Sequence, residues 1–151
     1  MHHNALRLFA TMLVVLGLLT LGVAPAAAQE ALTVQVTFDQ TTVDPRTGQV
    51  TLSGTVTCSE PARVEILGDL RQDVGRIFTV RSFFGTGFVY CPGPEGTTFS
   101  RTVTSIEGRF APGPASLMLF IFGCVLDPLG VSCIKTFEGR LDTTIRLAPA
   151  R

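Results

Sequence analysis

Alternation of apolar and polar side chains is the feature that most constrains the fold of this chain. In CIKTFEGRLDTTIRL, residues 133–147, the apolar residues Phe137, Leu141, Ile145 and Leu147 share one parity, and charged or hydroxyl-bearing residues dominate the other. A period of two places alternate side chains on opposite faces of a β-strand, whereas an amphipathic helix repeats its apolar residues every three or four positions. The stretch therefore predicts a strand with one buried face.

The same period recurs in two further stretches, and each predicts a half-buried strand. In QVTLSGTVTCS the residues on the inward parity are Val50, Leu52, Gly54, Val56 and Cys58. In ARVEILGDLR the inward residues are Ala62, Val64, Ile66 and Leu70, and the outward residues are Arg63, Glu65, Asp69 and Arg71.

Short segments rich in proline and glycine separate these stretches from five weaker strand patterns, LTVQVTF, RIFTVRS, TGFVYC, TFSRTVTSI and ASLMLFIFGC. Seven or eight short strands in about 120 residues, joined by such turns, are typical of two packed antiparallel sheets. We therefore predict an all-β fold over residues 29–151, an immunoglobulin-like antiparallel β-sandwich of seven to eight strands. A small barrel is the alternative fold.

The beginning of the chain has the organisation of a secretory signal peptide. A basic residue, Arg7, precedes an apolar run over residues 8–23, and three alanines at 26–28 fit a signal-peptidase site. We predict a signal peptide over residues 1–28 and a secreted, extracellular protein with no membrane span after signal removal. An uncleaved membrane anchor is the alternative, while a lipoprotein anchor lacks the cysteine it needs in the first thirty residues.

Histidine occurs only at positions 2 and 3, inside the predicted signal peptide. Ser-His-Asp triads, Cys-His pairs and His-containing zinc sites all need an imidazole, so the predicted mature chain cannot form them. That chain carries eleven basic and twelve acidic side chains, and its arginines are spread singly, whereas nucleic acids attract a clustered positive surface. We therefore predict that the protein is not an enzyme and has no nucleic-acid partner.

The four cysteines are Cys58, Cys91, Cys124 and Cys133, with 32, 32 and 8 residues between successive members. An even number of cysteines in an exported chain favours disulfides, and zinc sites built from four cysteines use close pairs that this spacing lacks. Four cysteines allow three pairings. Proximity along the chain favours Cys58 with Cys91 and Cys124 with Cys133, the latter as a staple across a hairpin.

Aromatic residues cluster in RSFFGTGFVYC, which contains Phe83, Phe84, Phe88 and Tyr90 around two glycines. The cluster could be a mobile lip over an apolar pocket, where the rings would contact a ligand or partner. It could instead be a hairpin whose turn needs glycine and whose rings close one end of the core. We favour the hairpin.

The stretch ASLMLFIFGCV is apolar on both parities and adds Phe120 and Phe122 to the candidate contact residues. Such a strand either lies in the middle of the fold with both faces covered, or leaves one face exposed for a partner. We favour the covered strand, because continuous apolar runs in small domains usually lie inside.

Two pairs of carboxylates, Asp39 with Asp44 and Asp69 with Asp73, have a spacing that could serve a calcium loop or a glycosidase pair. Neither pair lies in a dense run of acidic residues, and a turn accounts for Asp44 before Pro45. We therefore predict no metal site and no cofactor. A hydrolase that uses only carboxylates remains a third functional alternative.

The motifs TVDPRTGQVTLSGTVTCSEPARVEI, LRQDVGR, VYCPGPEGTTFSRTV and FAPGPASL resemble a family of small secreted actinobacterial proteins of unknown function. The resemblance covers most of residues 32–147 and implies an immunoglobulin-like sandwich, with no catalytic residues to carry over. A looser similarity is to the apoproteins of neocarzinostatin-type chromoproteins. That similarity implies an apolar cleft for a small labile molecule, and fold analogy alone does not establish function.

These observations predict a secreted, non-enzymatic, disulfide-stabilised β-sandwich that acts as an extracellular binding or protein-interaction module. Its partner would meet an exposed strand edge or an apolar face formed by the aromatic residues named above. The alternative is a carrier of a small hydrophobic ligand in an apolar pocket between the sheets.

Overall fold

Seven β-strands make up the regular secondary structure of the computed structural model, which describes residues 30–75 and 78–150. The strands are β1 (Val34–Val43), β2 (Val50–Cys58), β3 (Ala62–Val74), β4 (Phe78–Cys91), β5 (Thr97–Val103), β6 (Gly113–Leu126) and β7 (Cys133–Pro149). The described residues contain no helix that could cross a membrane. The predicted signal peptide and its alternative, a membrane anchor, lie outside the described residues.

The strands form one mixed sheet in the order β4-β3-β6-β7-β1-β2-β5. Neighbouring strands are antiparallel except β1 and β7, which pair in parallel over only two positions, Thr42 with Ala148 and Val43 with Pro149. Most of β7 pairs with β6, and only its last residues reach β1. The sheet therefore consists of two antiparallel groups, β4-β3-β6-β7 and β1-β2-β5, joined by one short parallel contact.

The two edge strands approach each other, so that the sheet is nearly barrel-shaped. The hydroxyl of Ser82 in β4 donates to the carbonyl of Thr104, just beyond β5, at 2.5 Å. The amide of Ile106 donates to the carbonyl of Arg81 at 3.1 Å, and Arg101 of β5 donates through its guanidinium to the carbonyl of Thr86. The predicted all-β class is confirmed.

The interior is filled by the inward parity of several strands, as the alternation predicted. In β2 every residue of the inward set is buried, and the inward set of β3 is buried as well. Gly54 is part of this packing, because a Cβ there would collide with the carbonyl of Thr37 and touch the ring of Phe99. That ring meets Phe38 edge-on, with the centroids 5.9 Å apart.

The expectation that β6 is covered on both faces is wrong. Ala115, Leu117, Leu119 and Ile121 are buried against the core, whereas the residues between them lie on the opposite face and are partly or largely exposed. β6 lies between β3 and β7, which pair with its two edges. Its central position in the sheet therefore covers its edges but only one of its faces.

Both disulfides favoured by proximity are present, and the pairing is confirmed. Cys58 at the end of β2 joins Cys91 at the end of β4, with a Cα–Cα distance of 6.2 Å, and both residues are buried. This bridge links the two groups of strands across the core. Cys124 and Cys133 join β6 to β7 beside their turn, at a Cα–Cα distance of 5.4 Å.

We predict that the buried bridge stabilises the fold more than the hairpin bridge does. Replacing both Cys58 and Cys91 by Ala should lower the free energy of unfolding by about 3–4 kcal/mol, because the loop it closes is long. The matched variant with Ala at Cys124 and Cys133 opens a shorter loop and should lose about 2–3 kcal/mol. Urea unfolding measures the free energy of unfolding of both variants. Equal losses for the two variants, or no loss in either, would contradict the prediction that the buried bridge stabilises the fold more.

Candidate functional site

The candidate site is the outer face, defined here as the side of β4, β3, β6 and β7 that points away from the core. Strand pairing sets which outward residues are neighbours. One row across the four strands contains Phe83, Asp69, Met118 and Asp142, and the adjacent row contains Gly85, Leu67, Phe120 and Arg140. Aromatic, aliphatic and charged side chains therefore alternate on this face.

Five of the six predicted contact residues are exposed on this face. They are Phe83, Phe88, Tyr90, Phe120 and Phe122, with exposed fractions that range from 38% for Phe120 to 71% for Phe88. Phe84, the sixth, faces inward, where its ring covers Gly68 and packs against the core while remaining half-buried.

The predicted hairpin in RSFFGTGFVYC is wrong, because this stretch belongs to a single 14-residue strand. Instead of a turn there is a bulge, and the register with β3 shifts between Glu65 and Leu67. Gly87 has φ +64° at the bulge, a conformation that favours glycine. The hydroxyl of Thr86 accepts a hydrogen bond from the amide of Ile66 at 3.0 Å and so compensates for the interrupted ladder. Beyond the bulge, Phe88 and Tyr90 point outward.

Asp69 is the buried charge of the outer face, with only 3% of its side chain exposed. Arg81 donates from Nε to Oδ1 at 2.9 Å and from Nη2 to Oδ2 at 2.7 Å. Arg71 donates from Nε and Nη2 to Oδ2 at 2.9 and 2.6 Å. The hydrogen bond from Arg81, with that from Arg71, lowers the pKa of Asp69 against the opposing effect of burial. The carboxylate therefore holds two guanidinium groups side by side.

Two arginines also lie over aromatic rings. The guanidinium carbon of Arg81 is 4.2 Å from the ring centroid of Phe83, and that of Arg140 is 5.6 Å from the centroid of Phe120. Arg140 pairs with Asp142 at 2.9 and 3.2 Å, as Arg81 pairs with Asp69. The face thus carries two units in which a carboxylate holds an arginine near a phenylalanine.

Two open depressions adjoin on the outer face and share Asp69, Met118 and Phe120. The apolar depression has a volume of about 520 Å³, and its other lining residues are Leu67, Gly68, Arg81, Phe83, Phe84 and Gly85. The polar depression has a volume of about 780 Å³, and its other lining residues include Arg71, Ser116, Arg140, Asp142 and Thr144. The apolar depression lies on the outside of the sheet and not between two sheets.

The remaining candidate carboxylates have structural partners. Asp44 accepts hydrogen bonds from the amides of Arg46 and Thr47 at 2.8 and 3.4 Å, and the bond from Arg46 is the main cause of its lowered pKa. Asp73 accepts the hydroxyl of Thr79 at 2.7 Å, and Asp39 that of Thr55 at 2.9 Å. Residues 30–75 and 78–150 contain no group of three or more His, Cys, Asp or Glu side chains that could hold a metal ion.

The arginines of the site were missed as site residues by sequence reasoning. Asp69 and Arg71 share a parity, so their closeness was readable from the alternation. The position of Arg81 depends on the register between β3 and β4, and that of Arg140 on the register between β6 and β7.

No family model matches the chain, and no curated protein matches it. Among solved structures, the chain is similar to a crystal structure of the "Putative ApaA Protein" from Bordetella pertussis, at 22% identity and a TM-score of 0.36. The match covers 80% of this chain and 94% of that chain.

We predict that Asp69→Asn lowers the free energy of unfolding by about 2 kcal/mol near neutral pH, because two arginines lose a buried charged partner. Folding lowers the pKa of the Asp69 carboxyl group in the wild-type protein. The ionised carboxylate therefore stabilises the fold fully above the ordinary carboxyl pKa of about 3.9, and this stabilisation is lost as pH falls through the lower pKa of the folded state. The gap between wild type and variant should therefore be constant above about pH 5 and narrow below about pH 4.

Urea unfolding across this pH range measures the gap. The matched control is Asp142→Asn, which removes an exposed carboxylate from the equivalent pair with Arg140 and should cost less than about 1 kcal/mol. Equal costs for the two variants would show that the burial of Asp69 does not matter.

Proposed function

We propose that the protein is a secreted, non-enzymatic binding module and that the outer face is its contact surface. The observation that carries the proposal is the exposure of five aromatic rings on one side of β4 and β6. Exposed apolar side chains gathered on one face of a soluble protein commonly mark an interaction site. Aromatic side chains are also enriched at the centres of protein interfaces.

The proposal of a non-enzymatic role is supported by the state of the carboxylates on this face. A carboxylate pair that hydrolyses a glycoside needs one member whose pKa is raised, so that it can donate a proton. The pKa of Asp69 is lowered instead. Asp69 and Asp142 both accept hydrogen bonds from arginines, which suits them to hold the binding surface in place.

We also propose that the two groups of strands are the layers of an immunoglobulin-like sandwich. Strands within each group are antiparallel, the buried cluster draws on both groups, and the first and last strands meet over only two positions. The resemblance of the turn and strand motifs to secreted actinobacterial immunoglobulin-like proteins supports the same arrangement. Two disulfides are compatible with the proposed secretion.

A carrier of a small hydrophobic ligand is the second candidate, and the apolar depression favours it. Its volume of about 520 Å³ falls within the range of ordinary ligand pockets. The site would differ from the expected one, because it lies on the outer face and is open to solvent. Native mass spectrometry of protein purified from its host would detect a retained small molecule that leaves on denaturation.

The binding module is tested by exchanging exposed apolar residues in matched pairs. The double variant Phe88→Ser with Tyr90→Ser removes two rings from the outer face, and the control Leu129→Ser with Val131→Ser removes two exposed aliphatic residues from the β6–β7 turn. Each purified protein is crosslinked in concentrated culture fluid of its host, and the adducts are quantified by mass spectrometry.

We expect wild type and the control pair to form the same major adduct, and the outer-face pair to form at least about tenfold less of it, since a buried aromatic anchor contributes about 2 kcal/mol or more to an interface. Circular dichroism confirms that each variant is folded. Equal adduct yields for all three proteins would place the contact surface elsewhere.

A further inference from the structure

The two depressions of the outer face differ in chemistry and meet at Asp69, Met118 and Phe120. On one side of this boundary the lining is mainly aliphatic, aromatic and glycine. On the other side it is mainly guanidinium, carboxylate and hydroxyl groups. A ligand that lies across the boundary would therefore be apolar at one end and polar at the other.

The ion pairs around Asp69 indicate which charge the polar end of such a ligand would carry. Arg71 and Arg81 together face one buried carboxylate, that of Asp69, so these three side chains together carry one net positive charge. Each guanidinium donates to Asp69 through Nε and Nη2. Within residues 30–75 and 78–150, no hydrogen bond uses the Nη1 of either arginine. Asp142 adds little negative charge, since Arg140 neutralises it.

Both guanidinium groups are held by contacts within the chain. Asp69 fixes their positions, and the ring of Phe83 supports Arg81 from one side. About half of each arginine side chain remains exposed. Binding an anion would therefore cost little side-chain entropy and would add charge-assisted hydrogen bonds.

The apolar end has the size and lining of a hydrocarbon site. Leu67, Phe83 and Phe120 are partly exposed on the outer face. They belong to the depression of about 520 Å³ that begins beside Arg81. Covering these side chains would remove apolar surface from water at roughly 25 cal/mol per Å².

We propose that this site binds a free amphipathic anion, with its carboxylate on Arg71 and Arg81 and its hydrocarbon body across Leu67, Phe83 and Phe120. The inference rests on the proposed function, since it names a ligand class for the same face. The anion site lies apart from Phe88 and Tyr90, the residues exchanged in the test of the binding module. Both of these residues lie beyond the β4 bulge, and neither lines either depression.

The test is isothermal titration of the full secreted chain with decanoate and, separately, with decyltrimethylammonium, both below their micellar concentrations. The two probes share the tail and differ in the charge of the head. We expect wild type to bind decanoate at least about tenfold more tightly than the cation, because one charge-assisted hydrogen bond suffices for that ratio.

Three variants locate the binding site. Arg71→Gln and Phe83→Ser should each weaken decanoate binding about tenfold. Arg63→Gln removes an arginine of the same outer face that lies opposite Tyr90 and Cys124, away from both depressions, and should leave the affinity unchanged. If Arg71→Gln does not fold, Phe83→Ser and the comparison of the two probes on wild type still decide.

Several results would overturn the proposal: equal affinity of wild type for decanoate and decyltrimethylammonium, no decanoate binding by wild type, or equal losses of affinity in the Arg63 and Arg71 variants.

Sedimentation of the same samples identifies a second copy as the occupant if wild type is dimeric, Phe83→Ser is monomeric and neither binds decanoate. Binding to phosphatidylglycerol vesicles without binding of free decanoate would assign the face to a lipid surface. Loss of the crosslinked adduct in the Phe88 and Tyr90 variant, with no decanoate binding, would remove this inference and leave the proposed function standing.

Discussion

The structure depends on the burial of the inward faces of the two groups of strands against each other, since the described chain has no helix to cover a core. Seven strands curl until β4 approaches β5, and the inward residues of β2, β3 and β6 then pack on one another. The length of β7 makes this possible, because it pairs with β6 along most of its course and still reaches β1 at Ala148 and Pro149. The buried Cys58–Cys91 bridge adds a covalent link between the same two groups of strands. The packing of the inward residues fixes the strand backbones, and these backbones set the positions of the side chains on the outer face.

Local alternation was enough to predict the strands whose two faces differ in polarity. The inward parity of β2, β3 and β7 follows directly from their sequences, and the two disulfides follow from cysteine spacing in this context. Two predictions failed for non-local reasons. Whether β6 is covered on its second face depends on how many layers the whole chain forms, which its own apolar residues do not reveal. The glycines of β4 suit a turn and a bulge equally well, and only the pairing with β3 selects the bulge at Gly87.

The candidate site shows the same division. Its aromatic residues were recognisable as an unusual cluster, and Asp69 and Arg71 were placed on one face by parity. The burial of Asp69 was not readable, because an outward carboxylate is normally solvated and this one is covered by the arginines it holds. The row of neighbouring residues from β4 to β7 could not be predicted either, because it depends on the registers of three strand pairs: β4 with β3, β3 with β6 and β6 with β7. Sequence reasoning identifies the chemical groups of such a face, while their adjacency is a property of the assembled sheet.

The turn between β6 and β7 is a self-contained unit. Asp127 accepts hydrogen bonds from the amide of Val131 and the hydroxyl of Ser132, both at 2.8 Å, and the Cys124–Cys133 bridge closes the strands beneath it. Leu129 and Val131 at its tip are exposed. A loop that is closed by its own covalent bond and its own carboxylate can accept foreign sequence with little effect on the sheet. This makes it the natural position for an inserted epitope or fluorescent label, on a side of the molecule that leaves both depressions free.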